Sequence, residues 1–185
     1  VLHEFNKNHP NINFSIHDIP NEKIIEKVQE GIFEIGICFE PQHNDQLIFK
    51  PFFNEDFLAL LPKDHELAQR KSVTWRELYA YPFITLQKPS IIRHVVEEKC
   101  SQNNMILDLK LECHQISSLS HFVAFGMGVS AIPRHFQNYI DKENNVLVEI
   151  EEGNVNLSVG IIYKKDFELS NISSQFIETI LAHQF

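Results

Sequence analysis

The sequence predicts an α/β fold, in which helices cover the faces of a sheet built from short buried strands. Ile35–Phe39 and Phe83–Leu86 are short, apolar, β-prone runs of the kind found in strands buried on both faces. Apolar residues at helical spacing lie before and after each run. The order helix, strand, helix, strand occurs twice, which is typical of crossover helices on a largely parallel sheet.

The first half of the chain is predicted to open with a helix, Val1–His9, stopped by Asn8 and Pro10. A strand with alternating polar and apolar residues follows, and then a helix with Asn21 as N-cap and Gly31 past its end. After the buried strand, two further strands flank Asn54-Glu55, where we expect a hairpin-like change of direction. The predicted strands are Asn13–Ile19, Ile35–Phe39, Leu47–Phe53 and Asp56–Leu61.

In the second half, Ser72 or Thr74 is expected to cap a helical turn that carries Trp75 and Leu78. Ser117 or Ser118 is expected to cap a helix that ends at Gly126. The further predicted strands are Phe83–Leu86, Leu107–Cys113, Val129–Ile132 and Leu157–Tyr163, and the further predicted helices are Arg93–Cys100 and Ser173–Leu181.

Composition excludes several classes of protein. The chain has 185 residues, of which 43% are hydrophobic, and this is enough for one domain or two small lobes. A net charge of −9 would repel a phosphate backbone, so we do not expect this chain alone to bind DNA. No apolar run approaches the roughly eighteen residues that span a bilayer. Three cysteines without a C-x-x-C pair suit a reduced, cytoplasmic protein.

Gly126-Met127-Gly128 with Ala131 satisfies the loose G-x-G-x-x-A pattern of dinucleotide sites. That site needs a strand before the glycines and a helix after them, whereas here a helix precedes them and a short strand closed by Pro133 follows. We therefore interpret Gly126 as the end of a helix and expect no cofactor.

Several segments together resemble the effector-binding domain of LysR-type transcriptional regulators over essentially the whole chain. The order and spacing of these segments make the resemblance specific, although Glu66 stands where the family usually has proline and Glu34 where aspartate is common. The segments are Phe5-x-x-x-His-Pro10, Val28-x-x-Gly-x-x-Glu-Ile-Gly-Ile37, Leu60-Leu-Pro-x-x-His65-x-Leu-Ala68, Val73-Thr-x-x-Glu-Leu78, Arg93, and Phe122 through Pro133.

The resemblance implies two Rossmann-like lobes of the periplasmic-binding-protein type II kind, with a small molecule bound between them. We expect lobe I to comprise residues 1–62 and 161–185 and lobe II residues 63–160, with the chain crossing near Pro62 and Gly160. No strand precedes the opening helix, so the first strand of lobe I is expected to be missing from this sequence. The family's N-terminal winged helix-turn-helix, through which DNA would be bound, is likewise expected to lie outside it.

Candidate ligand contacts follow from strand ends and helix starts near the expected cleft. Thr85 and Gln87 end a strand and can bond a carboxylate or hydroxyl, and the resemblance places ligand contacts there. Arg93 could bind a carboxylate with its planar fork, or pair with Glu97 one helical turn on. The other candidates are Ser117 and Ser118 before a helix, Gly126 and Met127 at the opposing junction, and Pro20, Asn21, Cys38 and Phe39 on the other wall.

Other functions are disfavoured by the motifs. The ten histidines have no metal-binding spacing, so we expect no metal, and neither a G-x-S-x-G elbow nor a P-loop occurs. We therefore predict a sensor of a small-molecule effector and not an enzyme. A solute-binding protein of a transport system, or an enzyme related to prephenate dehydratases or deaminases, remains an alternative. The resemblance implies a homodimer or homotetramer, with helix Asn21–Glu30 and the helix beginning near Ser117 as candidate contacts.

Overall fold

The computed structural model describes residues 1–41 and 45–183 and confirms the α/β class. The helices are α1 Leu2–Asn8, α2 Asn21–Gln29, α3 Trp75–Leu78, α4 Ile91–Gln102, α5 Ile116–Ala124 and α6 Asn171–Ala182, with 3-10 helices at Glu66–Gln69 and Arg134–Tyr139. The strands are β1 Gly36–Phe39, β2 Leu47–Pro62, β3 Ser72–Val73, β4 Phe83–Leu86, β5 Leu109–Cys113, β6 Ser130–Pro133 and β7 Asn145–Lys164.

The chain divides into two compact units. Unit 1 comprises Val1–Asn54 with Ser158–Phe185, and unit 2 comprises Glu55–Leu157. The long strands β2 and β7 each contribute to both units, so the chain passes between units inside these two strands. The boundaries predicted from the sequence, at Pro62 and Gly160, lie later along the same two strands.

The predicted hairpin at Asn54-Glu55 is wrong, because β2 runs without a turn from Leu47 to Pro62. Glu55 is almost completely buried, and its carboxylate accepts a hydrogen bond from the backbone N–H of His135 at 3.3 Å and contacts the His135 ring nitrogen Nδ1. Because the hydrogen bonds of the buried Glu55 carboxylate are made inside unit 2, the strand continues through this residue. An exposed Asn-Glu pair would instead form a turn.

In unit 1, β1 pairs antiparallel with β7, from Gly36 opposite Ile162 to Phe39 opposite Val159. The prediction that β1 belongs to a parallel pair is therefore wrong for the described residues. The apolar run suggested burial on both faces, but Ile37 is 48% exposed. One side of this sheet is covered by α2, whose Ile24, Ile25 and Val28 pack with Cys38 of β1, Leu47 of β2 and Ile162 of β7.

The predicted strand Asn13–Ile19 is also wrong, since this segment forms no ladder in the described part of the chain. Its Phe14 ring lies against the rings of Phe5, at 6.0 Å between centroids, and Phe176, at 5.7 Å. Alternation of polar and apolar residues can orient side chains, but a strand also needs a hydrogen-bonding neighbour.

In unit 2, β4 and β5 form a parallel pair, from Phe83 opposite Leu109 to Leu86 opposite Cys113. All four residues of β4 are buried, as the apolar run predicts. β6 pairs antiparallel with β2, and β3 pairs in parallel with β7. The β7 ladder also includes residues 145–156, which were not predicted as strand because polar residues interrupt their apolar pattern.

Candidate functional site

The candidate site in unit 2 lies where β4 and β5 end. Since the two strands are parallel, their carboxyl ends meet at one edge, and α4 and α5 begin just beyond them. The Gln87 backbone N–H donates to the Cys113 carbonyl oxygen at 2.9 Å and joins the two strand ends. This edge, defined by Thr85, Gln87, Cys113 and the first turns of α4 and α5, is called the strand-end site below.

Thr85 is the most informative residue of the strand-end site. It is 0% exposed, and its Oγ1 has no hydrogen-bond partner among the described residues. Its carbonyl oxygen, by contrast, accepts from the Cys113 thiol at 3.7 Å. A buried hydroxyl without a partner is destabilising, and native proteins keep few of them. Ser130 Oγ and Asn145 Oδ1 are the other such atoms among the described residues, and Thr85 is the one in the β4–β5 pair, near the strand ends, where a ligand atom can supply the missing bond.

The helices that begin at the strand-end site have bare N-termini. The first turns of α4 and α5 hold no acidic residue, and neither N-cap side chain, Ser90 or Gln115, bonds to the backbone. Among the other described helices, α1, α2 and α3 have an acidic residue in the first turn and α6 is capped by Ser170. Unpaired N–H groups and the helix dipole make such ends favourable for an anion.

Ser117 and Ser118 lie in the first turn of α5 and not at its cap, so the prediction that one of them caps this helix is wrong. β5 ends at Cys113, and Gln115, two residues later, is the N-cap of α5. Ser117 is exposed and Ser118 is half-buried. Both still lie at the strand-end site, where their hydroxyls remain candidate ligand contacts.

Arg93 lies in the first turn of α4 with its side chain 7% exposed. Its Nε donates to Glu97 Oε1 at 2.8 Å and its Nη1 to Glu112 Oε1 at 3.0 Å. The ion pair with Glu97, which is the alternative interpretation of this residue, is therefore present. The second carboxylate was not foreseen, because Glu112 occupies a polar position in an alternating strand and nothing in its local pattern connects it to Arg93.

Gly126 and Met127 lie away from the strand-end site, at the C-terminal end of α5. The helix spans nine residues, or about 13 Å at a rise of about 1.5 Å per residue, so its two ends cannot share one small ligand. Val129 just beyond them bonds to Pro82 and Ile84 at the amino end of β4, whereas Thr85 lies toward the carboxyl end. The expectation that Met127 and Thr85 line one cleft is not met within unit 2.

Met127 instead lines a shallow, half-open depression of about 200 Å³ in unit 2. The lining is mainly apolar. It consists of Pro62, His65, Tyr81, Pro82, Gly126, Met127, Gly128 and Val129.

The four candidates in unit 1 lie together where α2 begins and β1 ends. Pro20 is the N-cap of α2, so the prediction of Asn21 as N-cap is wrong by one residue. The Asn21 side-chain oxygen Oδ1 instead accepts from the backbone N–H of Phe39 at 2.8 Å and ties the helix start to the strand end. Cys38 is 5% exposed, and burial raises the pKa of its thiol to about 12. Cys38 is thus a core residue of unit 1.

Two further properties bear on function. Within residues 1–41 and 45–183, no three His, Cys, Asp or Glu side chains come close enough to hold a metal ion. Over the same residues, every helix is too short or too polar to cross a lipid bilayer.

The family model described as LysR substrate binding domain matches residues 1–184. The chain belongs to this family. It is 27% identical over 181 residues to the HTH-type transcriptional regulator YbhD of Escherichia coli, an alignment that covers 98% of this chain and 57% of YbhD. This LysR effector domain thus spans somewhat more than half the length of the curated relatives that it matches first.

Two solved structures have the same fold. The effector-binding domain of QuiR in complex with shikimate superposes with a TM-score of 0.88 at 18% identity, over 99% of this chain and 88% of that one. The regulatory domain of CcmR from Synechocystis PCC6803 in complex with 2-PG gives a TM-score of 0.89 at 22% identity, over 99% of this chain and 88% of that one. The LysR effector domain therefore has the type II periplasmic-binding-protein-like fold.

Proposed function

We propose that this LysR effector domain binds a small anionic molecule at the strand-end site and thereby regulates DNA binding by a helix-turn-helix domain of the intact protein. The observation that carries the proposal is the buried, unpaired hydroxyl of Thr85. The bare N-termini of α4 and α5 support it, because they favour a carboxylate or phosphate beside that hydroxyl.

Gln87, Ser117 and Ser118 are the proposed further contacts in unit 2, since each lies at the same strand-end site and carries a hydrogen-bonding group. In unit 1, Pro20 and Asn21 at the start of α2 are proposed as ligand contacts, and the buried residues Cys38 and Phe39 at the end of β1 are proposed to support them. Regulation requires that the ligand bind two conformations of the protein with different affinity.

For the intact protein we propose a cytoplasmic transcriptional regulator that works as a homodimer or homotetramer. Three free, buried cysteines support a reducing compartment. The matched relatives are named as regulators, which supports sensing over transport or catalysis. The helices proposed for the subunit contact are α2 and α5.

Replacing Thr85 by valine tests the ligand site. We expect the Thr85→Val variant to lose at least about tenfold in affinity for an anionic ligand, because one hydrogen bond to a charged group contributes about 1.5–3 kcal/mol. The valine should not destabilise the fold, and the free energy of unfolding should rise by about 1 kcal/mol, because the unsatisfied hydroxyl is removed. Calorimetric titration with shikimate and 2-phosphoglycolate, beside urea unfolding, measures both quantities.

The matched control is Thr179→Val, which replaces a hydroxyl that donates to the Gln175 carbonyl oxygen on α6 at 2.8 Å. This variant should bind like the wild type. Wild-type affinity in Thr85→Val would rule out the strand-end site. A wider panel of small carboxylates and phosphates, screened by thermal shift, extends the test if neither probe binds, because any ligand of the native state raises its melting temperature.

A further inference from the structure

Arg93, whose side chain is 7% exposed, lies at the centre of a group of four charges in unit 2, and the other three members are partly or largely exposed. Its guanidinium joins Glu97 on its own helix to Glu112 on β5. Lys88 in the loop before α4 also bonds Glu97, at 2.9 Å. Burial acts to raise the pKa of Glu97, but the bonds from Lys88 and Arg93 outweigh it and hold the pKa below its ordinary value. The two cations and two carboxylates sum to zero charge.

Glu112 brings a negative charge next to the unpaired hydroxyl of Thr85. The two residues are directly opposite each other in the β4–β5 ladder. Neighbouring strands lie about 4.8 Å apart, and residues in register project from the same face. Within the described residues, Glu112 has no cation other than Arg93, whereas Glu97 would keep Lys88 if Arg93 were lost. Arg93 is thus what neutralises the carboxylate beside Thr85.

We propose that Arg93 is a positioning residue that neutralises Glu112 and so allows an anionic ligand to bind at Thr85. The inference rests on the proposed function and adds a residue that determines which ligand charge the site accepts. An unpaired Glu112 would repel a carboxylate or phosphate a few ångströms away, since like charges at that distance oppose binding even near a protein surface. Arg93 acts through Glu112 in this account and does not have to leave its two carboxylates to contact the ligand.

A double variant separates this shielding from direct contact. In Arg93→Met the negative charge of Glu112 loses its counter-charge, and we expect the affinity for 2-phosphoglycolate to fall about tenfold. In Arg93→Met with Glu112→Gln that charge is absent again, and the affinity should return to within about threefold of the wild type. If Arg93 held the ligand directly, the double variant would stay as weak as Arg93→Met.

Glu112→Gln alone keeps Arg93 paired with Glu97, so the buried guanidinium retains a counter-charge, and this variant should bind the anion about threefold more tightly than the wild type. The effect of Arg93→Met should also shrink as salt rises from about 0.05 M to about 0.5 M, because Glu112 is partly exposed and its field is screened. Arg134→Met is the control, since Arg134 pairs with Glu149 elsewhere in unit 2 and its loss should leave the affinity unchanged.

Calorimetric titration of the five proteins with 2-phosphoglycolate, or with the strongest anion from the thermal-shift panel, measures all of these effects. Tightening in Glu112→Gln and recovery in the double variant support the proposal. If the double variant fails to recover while Thr85→Val still binds at least about tenfold more weakly than the wild type, the shielding role is overturned and the proposed function stands. A wild type that binds no small anion overturns both.

Discussion

Cys38 illustrates how burial determines the chemistry of a single side chain in this protein. The thiol is packed among apolar side chains of α2, β2 and β7, including Val28, Leu47 and Ile162. A thiolate there would lose its hydration without gaining a partner charge, so burial raises the pKa of Cys38 from 9.0 to about 12. The residue is a core side chain at ordinary pH, and it should react slowly with thiol reagents while the protein is folded.

The shift makes the stability of the protein depend on alkaline pH. Because the folded pKa is the higher one, the contribution of Cys38 is fully present below pH 9.0 and is lost as pH rises toward about 12. We expect the free energy of unfolding to fall there by up to about 1.4 kcal/mol per pH unit from this residue. Urea unfolding at a series of pH values should show a shallower alkaline decline for Cys38→Ala than for the wild type.

Lysine and tyrosine residues also titrate in this range, so the slopes of the two proteins are compared and not their absolute stabilities. Cys100→Ala removes a second thiol, which lies in unit 2 and whose pKa is also raised by burial. Parallel curves for the wild type and Cys38→Ala would show that the Cys38 thiol is not protected by the fold.

At the scale of elements, the segment from α5 to β6 owes its shape to two glycines that act differently. Gly126 has φ +71 and follows the last turn of α5, with its N–H bonded to Val123 and the next N–H to Phe122. This is the Schellman ending of a helix. Gly128 has φ +159, and a Cβ there would overlap the Pro82 carbonyl oxygen. That close approach lets the chain pass beside the amino end of β4.

Alanine at the two glycines should therefore differ in cost. A Cβ at Gly126 would have no atom within 4 Å, so Gly126→Ala should lower the free energy of unfolding by only about 1 kcal/mol, which is the cost of a left-handed residue with a side chain. Gly128→Ala should lose about 3 kcal/mol, because backbone must move to relieve the contact with Pro82. Urea unfolding of both variants measures the difference. Equal losses would contradict the close approach of β4 and the segment before β6.

At the scale of the whole chain, charge limits which partners this domain can bind directly. The formal net charge is −9. Of the cations, Lys23, Lys27, Arg93 and Arg134 are each paired with a carboxylate, which offsets their charge locally. We therefore do not expect this domain to contact DNA directly.

We expect this chain alone not to shift a DNA duplex in a gel at physiological salt. Non-specific binding depends on releasing counterions from phosphates contacted by Lys and Arg, and an acidic surface releases few of them. An electrophoretic mobility assay over a range of salt concentrations provides the measurement. A shifted band that weakens steeply with salt would contradict the expectation and would indicate a basic face on this domain.

Local sequence patterns predicted much of the fold, because the relevant interactions are short in range. Thr74 with Glu77 forms the capping box that begins α3, and the buried run Phe83–Leu86 forms β4. Patterns failed where a distant partner decides the outcome. Asn54-Glu55 resembles a turn until His135, eighty residues later, satisfies the Glu55 carboxylate.

The sequence by itself determined the α/β class, the family resemblance and the list of polar residues at strand ends, since each depends on residue type and spacing along one stretch of chain. Only the tertiary structure decided that the Thr85 hydroxyl is buried and unpaired and that Arg93 is held by Glu112. Those facts depend on which strands become neighbours. Such contacts arise when separate segments pack, and no local pattern encodes them.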